Sequence, residues 1–276
     1  MNIKNIFSLI QETDPEVYER LSPRRHILKS FSSKVAVAAV PFALGSLFKK
    51  AYGKTNDILY DVLTYALKMQ YMEHDFYQTF VLPSTVLTPE ATIMFTKIAA
   101  DEAAHVNFLK NFIDATGSYV IPAPTFDFTA GNGTGNGPYK EYNTSLPDLL
   151  QMAQSFEDLN VRTYKGLSIE AQANNEIVTH LMTLQSVEAR HATRIRMLRT
   201  ALGFSKVKPW VYGNLDETAE LRFNRFYEGE LNTTQNGVQI LGINGFEVDA
   251  FAAAESFDEP MNKFDVEKLV TRFIVT

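Results

Sequence analysis

The 276-residue chain contains no cysteine, which excludes disulfide scaffolds, thiolate zinc sites and iron–sulfur clusters. A metal centre in such a chain has to be built from carboxylates, histidines and neutral oxygens, and histidine is itself scarce, at five residues. Basic residues are too few for a nucleic-acid footprint: 26 Lys and Arg stand against 32 Asp and Glu, a net charge of −6. No apolar run reaches the roughly 20 residues that a membrane-spanning helix needs. The longest, Val35 to Phe48, has 14 residues and is interrupted by Pro41, Gly45 and Ser46. No Gly-rich strand-to-helix turn is present, so nucleotide and flavin cofactors have no support. What remains, 45% hydrophobic and 21% charged, is the balance of a globular protein with one large domain or two small ones.

Residues 1–56 admit two readings. Arg24-Arg25-His26-Ile27-Leu28-Lys29 precedes the short apolar run, and Ala51-Tyr52-Gly53 follows it as a candidate cleavage point. This order resembles a twin-arginine export signal, which implies a periplasmic protein. Lys49, Lys50 and Lys54 crowd that cleavage point, and the other reading is a cytoplasmic protein whose apolar run is a helix docked on the main domain.

From residue 57 the apolar pattern becomes helical. Leu63, Ala66, Leu67, Gln70, Glu73 and Tyr77 share one face of a helix that follows Asn56-Asp57 and ends at Pro83. Thr88-Pro89-Glu90 opens a second helix through Ile98, Glu102, His105 and Leu109, which Gly117 stops. A third begins at Ser145-Leu146-Pro147 and turns Leu150, Ala153, Phe156, Glu157, Asn160, Tyr164 and Leu167 inward. The fourth spans 176–202, with Leu181, Leu184, Glu188, His191, Ile195 and Leu198 on one face and Gly203 as its stop. Short, long and short connections predict an all-α fold: a four-helix bundle over 57–204 with one long crossover. The N-terminal segment is 1–56, and 205–276 forms an irregular C-terminal extension that wraps the bundle.

The chemistry lies on the inward faces. Glu102-x-x-His105 and Glu188-x-x-His191 each place a carboxylate and an imidazole on one helix face, about 5–6 Å apart. Chance gives about 0.3 such pairs in a chain with 19 glutamates and five histidines, so two pairs stand out from composition. Both lie among apolar residues, where charged groups are rarely buried without partners. Glu157 joins them from the third helix. A glutamate from each of two helices with Glu-x-x-His from each of the other two is the di-iron or di-manganese carboxylate arrangement. On these motifs, with Ala66 to Glu73, Phe76-Tyr77, Phe156-Glu157-Asp158 and the tail Phe257-Asp258-Glu259-Pro260-Met261, the chain resembles the ferritin-like superfamily. Within it, bacterial ferritin-like domain proteins related to desiccation-associated proteins are the nearer likeness. The resemblance implies a ferritin-like bundle and an iron or manganese centre, dinuclear where complete. It also implies oxidant handling in stress protection, a di-metal oxidoreductase being one form of it, with metal ions and small oxidants as partners. Residues outside the bundle complicate assembly of a hollow storage shell, while a homo-oligomer stays open.

An internal repeat identifies the first-helix ligand position. His191 and His105 are 86 residues apart, as are Glu188 and Glu102, and Tyr164 and Tyr77 are 87 apart. Stepping back 87 from Glu157 reaches Gln70; Glu73 pairs instead with Asn160. The candidate metal set is therefore Gln70, Glu73, Glu102, His105, Glu157, Glu188 and His191, with a neutral amide where the resemblance calls for a carboxylate. Three outcomes follow: Glu73 replaces Gln70, one metal position is lost, or the cluster is a metal-free buried network. The last makes the protein a non-catalytic structural or interaction bundle with a degraded site. Among neighbours, Asp101 and Asp158 read as solvated or supporting, His180 as surface, and His74 as a half-buried hydrogen-bonding residue. Tyr77 and Tyr164 read as packed aromatics with bonded hydroxyls. The crossover's Tyr119, Phe126, Phe128, Tyr139 and Tyr142 read as cover for the bundle.

Overall fold

The structure is a computed structural model in which residues 57–204, 208–211 and 223–276 are described. The twin-arginine-like motif, the apolar run after it, Asn56 and Tyr212 lie outside the described residues.

Helix α1 runs Asp57–Asp75 and continues as a π-helical turn, Phe76–Val81. Helix α2, Pro89–Ala115, starts where Thr88 Oγ1 accepts the Ala91 N–H at 3.2 Å and Pro89 occupies the first turn. It stops at Gly117, whose φ of +76° suits glycine. Helix α3 is Leu146–Glu170, with Pro147 in its first turn. Helix α4 is Asn175–Ala201, capped by Asn174, whose side chain accepts from the N–H groups of Glu176 and Ile177. α1 packs along α2 and α3 along α4, so the short joints make two helical hairpins and residues 116–145 carry the chain between them.

The π turn was not foreseen from the sequence. Its wider winding turns Phe76, Tyr77, Phe80 and Val81 inward while Gln78 and Thr79 stay exposed. Phe76 stacks edge-on against Phe156 of α3 at 4.7 Å and Phe128 of the crossover at 5.1 Å. Phe156 in turn meets Phe273 near the C-terminus at 5.2 Å, so one aromatic core joins bundle, crossover and extension. Phe128, Tyr139 and Tyr142 cover the bundle as expected, whereas Tyr119 projects into solvent at 69% exposure. The crossover's glycine-rich loop is organised by Asp127, whose carboxylate accepts the N–H groups of Thr129, Gly133 and Gly135.

The extension has more structure than its sequence suggests. It contains a hairpin of β1 (Thr234–Gln235) and β2 (Val238–Gln239), then helix α5 (Ala250–Glu255) and helix α6 (Lys263–Val270). Asn236 and Gly237, both at positive φ, make the hairpin turn. α6 packs on α3, and Glu267 accepts from Lys68 of α1 at 2.7 Å. Arg162 of α3 fixes the segment before α6: its guanidinium donates to the carbonyls of Phe226, Glu228 and Glu259 and pairs with Glu230 at 2.7 Å. The extension therefore covers what would otherwise be the wet face of α3. Gln151, Gln154, Ser155, Asp158, Arg162 and Thr163 are all buried there, and from Leu149 to Tyr164 every residue of the helix is buried. Asp158, read from sequence as solvated or supporting, is in fact a buried partner of Arg196 and of the Tyr227 hydroxyl.

One close approach makes this docking testable. A Cβ on Gly166 would lie 2.1 Å from the carbonyl oxygen of Met261, a backbone atom that cannot rotate away. Gly166→Ala is expected to destabilise the fold by about 1–3 kcal/mol through overpacking, despite its gain in helix propensity. Urea denaturation of the two proteins checks it.

Candidate metal centre

The bundle interior brings four ligand atoms to one point. Glu102 from α2, Glu157 from α3, and Glu188 and His191 from α4 each offer one ligand atom, and these lie within 4.8 Å of one another. His191 Nδ1 lies 2.9 Å from the Glu102 oxygen and 3.4 Å from each of the other two. The carboxylates are fully buried and the imidazole is 6% exposed, and His191 Nδ1 divides its ion pairing among the three oxygens. Buried polar atoms are almost always paired. Three carboxylate oxygens sharing one ring nitrogen are under-paired, and together with it they are the donor set of a hard or borderline cation.

A second group lies beside it. His105 Nδ1 sits 3.1 Å from Glu102 Oε2, 3.2 Å from Glu188 Oε1 and 3.1 Å from Gln70 Oε1. Glu102 and Glu188 thus each offer one oxygen to either side, and the two imidazole rings are 6.3 Å apart. Here a neutral amide takes part: Gln70 Nε2 donates to Glu188 Oε1 at 2.8 Å and to Glu73 Oε2 at 3.2 Å. Glu73, fully buried, faces the Gln70 amide rather than joining the four converging atoms, and its other oxygen is unpaired.

Electrostatics show how the cluster is held without a cation. Burial opposes charge on His105, but Glu102 and Glu188 outweigh it and push the imidazole up to about 10. His191 is likewise held protonated against burial, by Glu157 and then by Glu102 and Glu188. Burial alone would raise Glu188, yet the two imidazoles bring it down to about 2. Glu157 goes the other way: burial pushes it up to about 8, against the pull of His191. Burial, reinforced by Glu157, Glu188 and Glu102, keeps Glu73 well above the usual carboxylate range. Protons thus occupy a site that lacks other positive charge, and a bound cation would displace them.

The supporting residues divide. Tyr77 donates to Glu157 Oε1, a bond that the π turn makes reachable. Tyr164 is equally buried, and the side chain its hydroxyl meets is Gln70, as Tyr77 meets Glu157. Asp101 lies 3.4 Å from His191 Nε2 and also accepts from Lys97, so it supports a ligand from the rim. His180 is not a surface residue: it is half-buried, with its ring edge-on to Phe108 and Phe112 at 5.2 and 5.1 Å. His74 is half-buried at the end of α1. The small exposures of the centre are at His105 and His191, on α2 and α4.

A family model described as a ferritin-like domain matches residues 59–201. No curated protein and no solved structure matches the chain.

Proposed function

The chain belongs to the ferritin-like domain family, matched over more than half its length, and from that premise we propose that it binds iron or manganese inside the bundle and handles small oxidants there. The observation that carries this reading is the convergence of three buried carboxylates and one imidazole, Glu102, Glu157, Glu188 and His191, whose ligand atoms lie within 4.8 Å of one another. Their mixed oxygen and imidazole character suits iron and manganese and offers no thiolate to favour softer ions. When bound, such a metal supplies one-electron redox chemistry and a Lewis-acidic place for oxygen or peroxide. The residues around it do the rest. Tyr77 holds Glu157 from behind, and Asp101 orients His191. Leu63, Leu67, Ile98, Leu184 and Ile195 are buried on the same inward faces and keep bulk water from the cluster. A role in stress protection and the kinship to desiccation-associated proteins rest on sequence resemblance and form part of the proposal.

The test starts from chain stripped with chelator, loaded anaerobically with iron(II) or manganese(II) and then desalted. Retained metal with a rise in melting temperature is expected, because a ligand bound only by the folded state stabilises it. Peroxide consumption by loaded protein, above that of free metal and stripped chain, is the second expected result. A chain that retains no metal and melts identically with either ion is instead a structural bundle, and the proposal falls.

A further inference from the structure

We propose that the centre is mononuclear, with one metal held by Glu102, Glu157, Glu188 and His191 and the neighbouring position filled by the Gln70 side chain. The inference rests on the metal-binding reading above and goes beyond it in stoichiometry and in the residue that sets it. The two halves of the cluster are related by the sequence repeat that pairs Gln70 with Glu157, Glu102 with Glu188 and His105 with His191. Glu102 and Glu188 offer one oxygen to each half, yet the side chain that completes each half differs in charge. On the Glu157 side it is a carboxylate, whose Oε2 lies 3.4 Å from His191 Nδ1 and joins the set of four convergent donors. On the Gln70 side the amide lies among the donors themselves. Its Nε2 donates to Glu188 Oε1 at 2.8 Å and its Oε1 lies 3.1 Å from His105 Nδ1. One neutral group thus meets an anionic acceptor and an imidazole at once, which is the work a cation would otherwise do there.

Two further observations point the same way. Gln70 is braced by a second acceptor, Glu73 Oε2 at 3.2 Å, so swinging the amide aside would leave buried groups unpaired. The support of the imidazoles is also one-sided. Asp101 stands behind His191 at 3.4 Å, while the sequence repeat puts Val187, whose side chain has no acceptor, at the position 86 residues on from Asp101. An anionic ligand and a supporting carboxylate are both missing from the same half. The amide oxygen that remains is a neutral donor and cannot balance a second divalent charge.

The experiment is anaerobic titration of the full chain with manganese(II), read as metal per chain and as the electron paramagnetic resonance spectrum, for the native protein, Gln70→Glu and Glu157→Gln. Circular dichroism establishes that each is folded. The proposal predicts one manganese per chain with the spectrum of an isolated ion in the native protein. It predicts two, with the spectrum of a coupled pair, in Gln70→Glu, and none in Glu157→Gln. Two coupled ions in the native chain would overturn the mononuclear assignment while leaving the metal-binding reading intact. No metal in the native chain but two in Gln70→Glu would overturn it as well, by showing that the Glu157 half is not competent alone. No metal in any of the three would instead remove the metal-binding reading on which the proposal rests. If Gln70→Glu does not fold without metal, Gln70→Ala decides: one manganese retained supports the amide as a filler, and loss of that metal overturns it.

Discussion

Glu157→Gln is expected to weaken binding of iron(II) or manganese(II) by about 100-fold or more, while the metal-free protein stays folded. The two halves of this expectation have separate causes. Burial pushes the Glu157 carboxyl up to about 8 against the pull of His191, and an amide of the same shape keeps its volume while giving up the charge that faces His191. The Tyr77 hydroxyl can still donate to the side-chain oxygen. Binding is another matter, because a cation can displace a proton from a carboxyl but not from an amide. Loss of an outer partner alone costs about 10–100-fold in affinity, and a direct donor costs more. The sign of the pH dependence follows. Below pH 8 the metal competes with the Glu157 proton, so native affinity rises as pH rises toward 8, and this rise is shallower in the variant. Equilibrium dialysis between pH 6 and 8, with melting curves on stripped protein, reads both. Equal affinity in the two proteins would remove Glu157 from the ligand set.

Arg162→Met is expected to destabilise the fold by about 3–5 kcal/mol and to free the C-terminal extension. Arg162 and Glu230 are 3% and 1% exposed and pair at 2.7 Å, and the same guanidinium donates to the carbonyls of Phe226, Glu228 and Glu259. Methionine fills the volume of the stem but leaves Glu230 without its countercharge. Burial already pushes Glu230 up to about 7 with the arginine present. In the variant it rises further, and the cost depends on whether the medium can protonate it. The variant's penalty is therefore smallest near pH 5, where the carboxyl is neutral, and grows as pH rises toward 8. Urea denaturation at the two pH values measures the difference. Limited proteolysis reads the second effect: cleavage between 223 and 262 appears in the variant well before the bundle is cut. A pH-independent loss would show that the carbonyl contacts, not the ion pair, hold the extension.

The bundle and its centre were largely legible in the sequence because each rests on local, periodic signals. Thr88-Pro89, Gly117, Asn174 and Gly203 punctuate the helices, and the apolar stripes between them have helical spacing. Two Glu-x-x-His pairs among apolar residues announce a buried polar cluster, and the repeat arithmetic alone placed Gln70 opposite Glu157. What that arithmetic could not decide was which way Gln70 and Glu73 turn, since both lie on one face of α1. Hydrogen bonds across the bundle decide it. The partners on the polar side of α3 were not legible for a different reason. Periodicity shows that Asp158 and Arg162 lie off the apolar stripe, and it cannot show what covers them. Their partners sit far along the chain: Arg162 reaches Phe226 and Glu259, 64 and 97 residues away. His180 shows the same limit, for its two aromatic neighbours belong to the other helical hairpin. The π turn at Phe76 has no sequence mark either, because its four inward side chains fit a helical stripe of slightly different pitch.

The most direct test is X-ray diffraction at the manganese edge from crystals of the full chain loaded with manganese(II) under anaerobic conditions. The account predicts an anomalous peak in the bundle interior, ligated by Glu102, Glu157, Glu188 and His191. A folded, fully loaded chain with no peak there, or with its manganese bound elsewhere on the molecule, would contradict it.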